Sequence, residues 1–334
     1  MPANATTNST DYDINVLLMT TNSQTENTIV GLSLILSAIF IFSLNVIVIR
    51  AINHDKELNK LNSYRFLLWM AYSDSSQMGI YLITGFWTIY PCTWSVLGGK
   101  LLGICPQFIF YAFVTTVLAS HRMVALLCPN IDSWMFSKRG MKVWLYVSLF
   151  VASLFAIGNG LPWSTMLYNP SWWTWGYDGK LPMSGLVSGA AMYLELIGIT
   201  IAFLFHIPMF LVIYQKRKVG ALGKKASLQD FKILIQAFTI TAYSFLSNML
   251  FYAYPVFRPE DKYAFWILNM FNVYNSAVNP VMYMIMNNSL RKKVKTVVSQ
   301  AARSRNVSFV TQTAISNATS SPVMVRARRG VSIV

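Results

Sequence analysis

The strongest constraint on this chain is a run without charge. From Ile29 to Ile49 there is no Asp, Glu, Lys or Arg, and Asn45 is the one strongly polar side chain. As a helix rising about 1.5 Å per residue, the run reaches roughly 31 Å, enough to cross a hydrocarbon core of about 30 Å. Six more apolar stretches follow, at about 66–88, 101–127, 143–163, 189–213, 231–254 and 263–286. A bilayer core offers no water to the backbone, so stretches of this length cross it as helices. The expected fold is therefore all-α, a bundle of seven transmembrane helices. Composition agrees: 12% of the residues are charged, against about 25% in a soluble domain, and the mean hydropathy is +0.45.

Seven crossings put the termini on opposite sides, and the basic residues choose which. Of 27 Lys and Arg, 23 lie on the side of the first turn (Arg50, Lys56, Lys60, Arg65), and four lie opposite, Lys100, Lys180, Arg258 and Lys262. Basic loops stay inside, so the N-terminus is expected outside and the C-terminus inside, in the plasma membrane. The net charge of +15 is then an orientation signal, and no nucleic-acid partner is implied. The opening residues lack a basic region followed by an apolar core, so no cleaved signal peptide is expected. Residues 1–28 form an extracellular tail, with glycosylation sequons at Asn4 and Asn8. Residues 29–286 form the bundle and 287–298 a basic amphipathic helix on the membrane surface, in contact with lipid. Residues 299–334, rich in Ser and Thr, read as a disordered, phosphorylatable cytoplasmic tail.

The seventh stretch carries the densest polar pattern, Asn275-Ser276-Ala277-Val278-Asn279-Pro280-Val281-Met282-Tyr283. Pro280 removes a backbone hydrogen bond and kinks the helix, which lipid tolerates only where polar groups satisfy the freed carbonyl. Asn275, Ser276 and Asn279 are candidates at that depth. Asp74 in the second stretch is costly in a membrane and marks a functional position. This set resembles rhodopsin-like G-protein-coupled receptors, with a kinked seventh helix followed by a short eighth. The resemblance implies that Asn45, Asp74, Asn275, Ser276, Asn279, Pro280 and Tyr283 form an activation switch, with a sodium ion near Asp74. It also implies that Arg122 meets the G protein and that a phosphorylated tail recruits arrestin. Three departures stand out. His121-Arg122-Met123 lacks the acidic residue usual before the arginine, the sixth stretch lacks Cys-Trp-x-Pro, and residues 163–188 contain no cysteine. Cys92 and Cys105, both near the outer side, could pair with each other instead. Cys128 would be cytoplasmic and reduced.

Several stretches resemble nematode serpentine chemoreceptors, closest to serpentine receptor class T, with class X similar at several places. They are Tyr64-Arg65-Phe66 to Asp74, Thr84-Gly85-Phe86 before Cys92, Phe136 to Gly140, Pro162 to Asp178, and Asn288 to Arg291. The resemblance implies chemosensory reception of an external small molecule, coupling to a heterotrimeric G protein, and residence in the membrane of a sensory cilium. Ligand candidates in the outer half are Gln107, Tyr111, Glu195, Tyr252 and Trp266. Glu195 needs a partner, either a cationic ligand or a protein donor, unless it turns to water at the interface. No nucleophile elbow, zinc motif or phosphate loop is present, so no catalytic residue, metal site or cofactor is expected. The seventh stretch has no lysine, which excludes a retinal Schiff base. The alternative reading is a ligand-gated channel or a transporter of seven-helix topology. The first runs against the charge bias, and the second against the lack of an internal repeat.

Overall fold

A computed structural model describes residues 22–91, 93–218, 224–257, 261–288, 290–296 and 299. In order, the elements are α1 (Gln24–His54), α2 (Lys56–Lys60), α3 (Asn62–Ile89), α4 (Thr93–Gly103), α5 (Gln107–Leu127), α6 (Pro129–Met135) and α7 (Lys138–Gly160). There follow strands β1 (Met166–Asn169) and β2 (Thr174–Tyr177), then α8 (Ser184–Leu204), α9 (His206–Lys218), α10 (Lys224–Phe257) and α11 (Lys262–Met286). The spans are α1, α3, α5, α7, the α8–α9 pair, α10 and α11. They close into a ring: α1 packs on α3 and α11, α3 on α5, α5 on α7 and α8, and α8 on α10, which meets α11.

Caps set several starts. Ser23 and Glu26 form a reciprocal capping box, so α1 begins at Gln24, before the apolar run itself. Asp261 accepts from the backbone of Tyr263 and Ala264 and starts α11. Prolines set two breaks. The third span was expected to run unbroken from 101, but Pro106 ends that register, so α4 is a separate outer helix and α5 begins at Gln107. In the fifth span Pro208 cannot donate to the carbonyl of Leu204, and the helix breaks at Phe205. The loop between α7 and α8, which carries Trp172, Trp173 and Trp175, folds as an antiparallel hairpin, pairing Met166 with Tyr177 and Asn169 with Thr174.

Among the described residues, five stretches are long and apolar enough to cross a membrane: 24–54, 98–127, 138–160, 184–218 and 231–254. The second and seventh spans are less apolar because their inward faces bury Ser73, Asp74 and Gln77, and Asn269, Ser276 and Asn279. Outward faces show Leu36, Phe40, Phe150, Ile157, Leu204 and Leu211 to the surroundings, as hydrocarbon requires. This is a multi-pass membrane protein with a seven-helix bundle. After α11, Asn287 ends the helix and the described residues 290–296 are helical again. Leu290 and Val294, one turn apart, pack with Ile52 and Leu58, while Lys293 reaches Asp55 at 2.7 Å.

Candidate functional site

The half of the bundle where α1 begins holds a cavity of about 220 Å³. Its walls come from α3, α5, α7, α8, α10 and α11, and the β-hairpin covers one side. The hairpin is held by Trp173, which is fully buried and sits at a φ of 50°. A bulky residue in that left-handed region is strained and persists only when its surroundings fix it. They do: its indole donates to Asn27 at 2.9 Å, and its carbonyl accepts from Asn269 at 3.1 Å. Lys262 lies over the Trp173 ring at 5.2 Å and pairs with Glu26 at 3.0 Å. The Tyr263 hydroxyl also donates to Glu26, and these two partners hold that carboxyl down at about 2.

Of the expected ligand residues, Gln107, Glu195 and Tyr252 line this cavity and two do not. Tyr111 turns toward the bundle core and meets Asn279 at 3.1 Å. Trp266 faces α1, where its indole donates to Ser33 at 3.2 Å. Glu195 does not turn to water: it is 8% exposed and accepts from the Tyr252 hydroxyl at 2.9 Å. No Lys, Arg or His lines the cavity among the described residues. Burying a carboxylate costs several kcal/mol, and one hydrogen bond to a charged group returns about 1.5–3 kcal/mol. Tyr252 therefore orients Glu195 without neutralising it.

Below the cavity a polar core runs inward. Tyr81 donates to Asn269 at 3.0 Å, and Ser276 to Gln77 at 3.4 Å. Asn279 donates to Asp74 at 3.4 Å. Pro280 frees the carbonyl of Ser276, and Asn45 of α1 takes it up at 3.2 Å, rather than the neighbours on α11. Asn275 instead accepts from Ser244 of α10 at 2.7 Å. Asn45, Asp74 and Asn279 each keep one buried oxygen without a hydrogen-bond partner among the described residues. A carboxylate with amide oxygens is the donor set a hard cation takes, so the residues present fit a sodium ion.

The core ends at the opposite side of the bundle, where Arg122 donates to the Tyr283 hydroxyl at 3.1 Å. Between them and Asn279 lies a void of about 10 Å³, bordered also by Thr115 and His206, close to the room one water needs. The residue before Arg122 finds its carboxylate elsewhere: His121 faces Asp132 of α6 at 3.6 Å and packs edge-on against Phe136. Gln77, Tyr81, Asn269 and Trp173 bear on the site without a motif to flag them; only their polarity at membrane depth, or tryptophan density, could have done so. Asn4, Asn8 and Cys92 lie outside the described residues, and Cys105 carries a free, exposed thiol. Cys128 is likewise free and exposed.

The family described as serpentine type 7TM GPCR chemoreceptor Srt matches residues 3–306. The crystal structure of squid rhodopsin superposes with a TM-score of 0.68 at 16% identity, covering 84% of this chain and 87% of that one. Identity that low carries the fold alone. No curated protein sequence matches the chain.

Proposed function

The chain belongs to the Srt family of serpentine chemoreceptors, and from that premise we propose how this G-protein-coupled receptor works. It is a chemosensory receptor, with a ligand and a heterotrimeric G protein as partners. The ligand binds from outside in the cavity under the hairpin, with Gln107, Glu195 and Tyr252 on its wall. The carrying observation is the polar core, which begins at cavity residues Gln77, Tyr81 and Asn269 and continues to Arg122 and Tyr283. A ligand that packs better against one arrangement of that core shifts the population toward it. The favoured arrangement opens the cytoplasmic face, and Arg122 contacts the G protein there.

Asn45, Asp74, Asn275, Ser276, Asn279, Pro280 and Tyr283 form the switch in this reading. A sodium ion would be held by Asp74 with Asn45 and Asn279, supplying the positive charge that keeps the carboxylate ionised. The N-terminus lies outside the plasma membrane, in a sensory cilium by family likeness, and the phosphorylated tail serves arrestin. Glycans on Asn4 and Asn8 belong to the same reading, which contains no catalytic step.

The test is Arg122→Ala in cells expressing the full-length receptor, compared with wild type at equal surface expression. Loss of G-protein activation with normal expression is expected. Equal activation at equal expression would remove Arg122 from the coupling surface.

A further inference from the structure

We propose that the ligand class is a small organic cation, an amine or quaternary ammonium compound whose charge rests against Glu195. This deepens, and rests on, the reading of the outer cavity as the ligand site. The sign of the cavity is the first reason. Glu195 lines it, makes no ion pair among the described residues, and has Tyr252 as its donor. Lys262, a cation at the same end of the bundle, is engaged with Glu26 and with Asn22 at 2.8 Å. The remaining polar lining consists largely of amides, including Gln107, Asn248 and Asn272. These orient a ligand but carry no charge. An acid or a phosphate would meet the carboxylate with no counter-charge beside it, which selects against that class.

The second reason is the wall. Phe155, Trp175, Tyr177, Phe251 and Tyr252 line the same cavity. Aromatic faces attract ammonium groups, more so where water is excluded. Carboxylate and rings together describe a receptacle for a desolvated cation with an apolar body. The third reason is size. About 220 Å³ admits a small molecule and no peptide. A cationic ligand supplies the counter-charge that a buried carboxylate needs, and a neutral ligand of equal size supplies none. Tyr252 fixes the orientation of the carboxylate and acts as a positioning residue.

The experiment uses full-length receptor in lipid nanodiscs and reads thermal stabilisation, which does not depend on coupling. The compounds are matched sets on shared skeletons: benzylamine, benzyltrimethylammonium, benzyl alcohol and benzoate, with the 2-phenylethyl and cyclohexylmethyl series beside them. Stabilisation by amines or ammonium compounds, and not by the matched alcohols or acids, is expected. Glu195→Gln should weaken that binding by at least about 30-fold, while Glu195→Asp retains part of it. Because Glu195→Gln keeps the side chain's shape and an oxygen that accepts from Tyr252, the ligand-free variant should unfold no earlier than wild type. The proposal is overturned if no cation in the sets stabilises the receptor, if neutral members bind as tightly, or if Glu195→Gln binds the amines unchanged. Ala191→Trp fills the cavity and separates the two levels. Neutral binders lost in that variant would leave the cavity reading standing and remove the cationic class. Amine binding that survives it would remove the cavity itself.

Discussion

Arg122 and Tyr283 meet across 161 positions of sequence, and their contact is where the departure from the usual acidic-arginine pair has its consequence. With histidine at 121, the arginine has no carboxylate beside it and donates to the phenol of the seventh span instead. A hydrogen bond to a charged group is worth about 1.5–3 kcal/mol, roughly tenfold or more in a two-state population. It bridges the third and seventh spans, and in the proposed mechanism it acts as a restraint. Tyr283→Phe keeps the ring in its apolar cluster with Val48, Leu67 and Ile240 and removes only the acceptor. Basal G-protein signalling should rise several-fold at unchanged surface expression; unchanged or lower basal signalling would show that the bond restrains nothing. The sequence supplied Arg122 and Tyr283 separately, each by motif. That they touch was not legible, because it depends on side-chain direction at the ends of two spans. Glu195 was legible as a carboxylate within a span, whereas its hydrogen bond from Tyr252 emerged only with the packing of α10 on α8. Tyr111 and Trp266 were misplaced for the same reason: depth in the membrane can be counted from sequence, but rotation about a helix axis is weakly coded when most faces are apolar.

Among the spans, α1 and α3 pack closely through Gly31 and Gly85. A Cβ at Gly85 would stand 2.9 Å from the Gly31 carbonyl oxygen and 2.6 Å from Ile35 Cγ1. Small residues let membrane helices touch backbone to backbone, and overpacking such a seam costs about 1–3 kcal/mol. Gly85→Val should lower the thermal midpoint of the purified receptor by several degrees; an unchanged midpoint would show that the seam gives way freely. At the outer end, α1 and α11 are joined by Glu26 with Tyr263 and Lys262. Its carboxyl is held at about 2, below its ordinary 4.5. A depressed carboxylate stabilises fully above the unfolded value and loses that contribution as pH falls through the folded one. The stabilisation from this pair should therefore be constant from neutral pH down to about 5 and decline between about 4.5 and 2. Thermal melts of wild type against Glu26→Gln over that range check it, and an equal difference at pH 7 and pH 3 would contradict it. The helices themselves were largely legible, since length and hydropathy force them. The two breaks were not placed, although Pro106 and Pro208 stand in the sequence, because a proline permits several outcomes: a kink, a break or a new start. The hairpin was missed because its strands are four residues each and tryptophan density looks the same in a membrane belt.

For the whole molecule, the proposed function is transmission from a cavity at one end of the bundle, through a polar core, to a face at the other end that opens. Fold, family and orientation bias were all readable before any coordinates. The seven-span count, the charge asymmetry and the Asn-Pro-x-x-Tyr pattern are properties of order along the chain. Transmission is a property of two conformations and is read from motion. The most direct measurement is the distance between spin labels at native Cys128, at the inner end of α5, and at Lys232→Cys on α10. Cys92→Ser and Cys105→Ser leave those two labelling sites. Full-length receptor in nanodiscs is compared alone and with nucleotide-free heterotrimers of each major G-protein class. The account predicts that one class shifts the distribution to longer distances, and that Arg122→Ala abolishes the shift. A distribution unmoved by every class at saturation would contradict it.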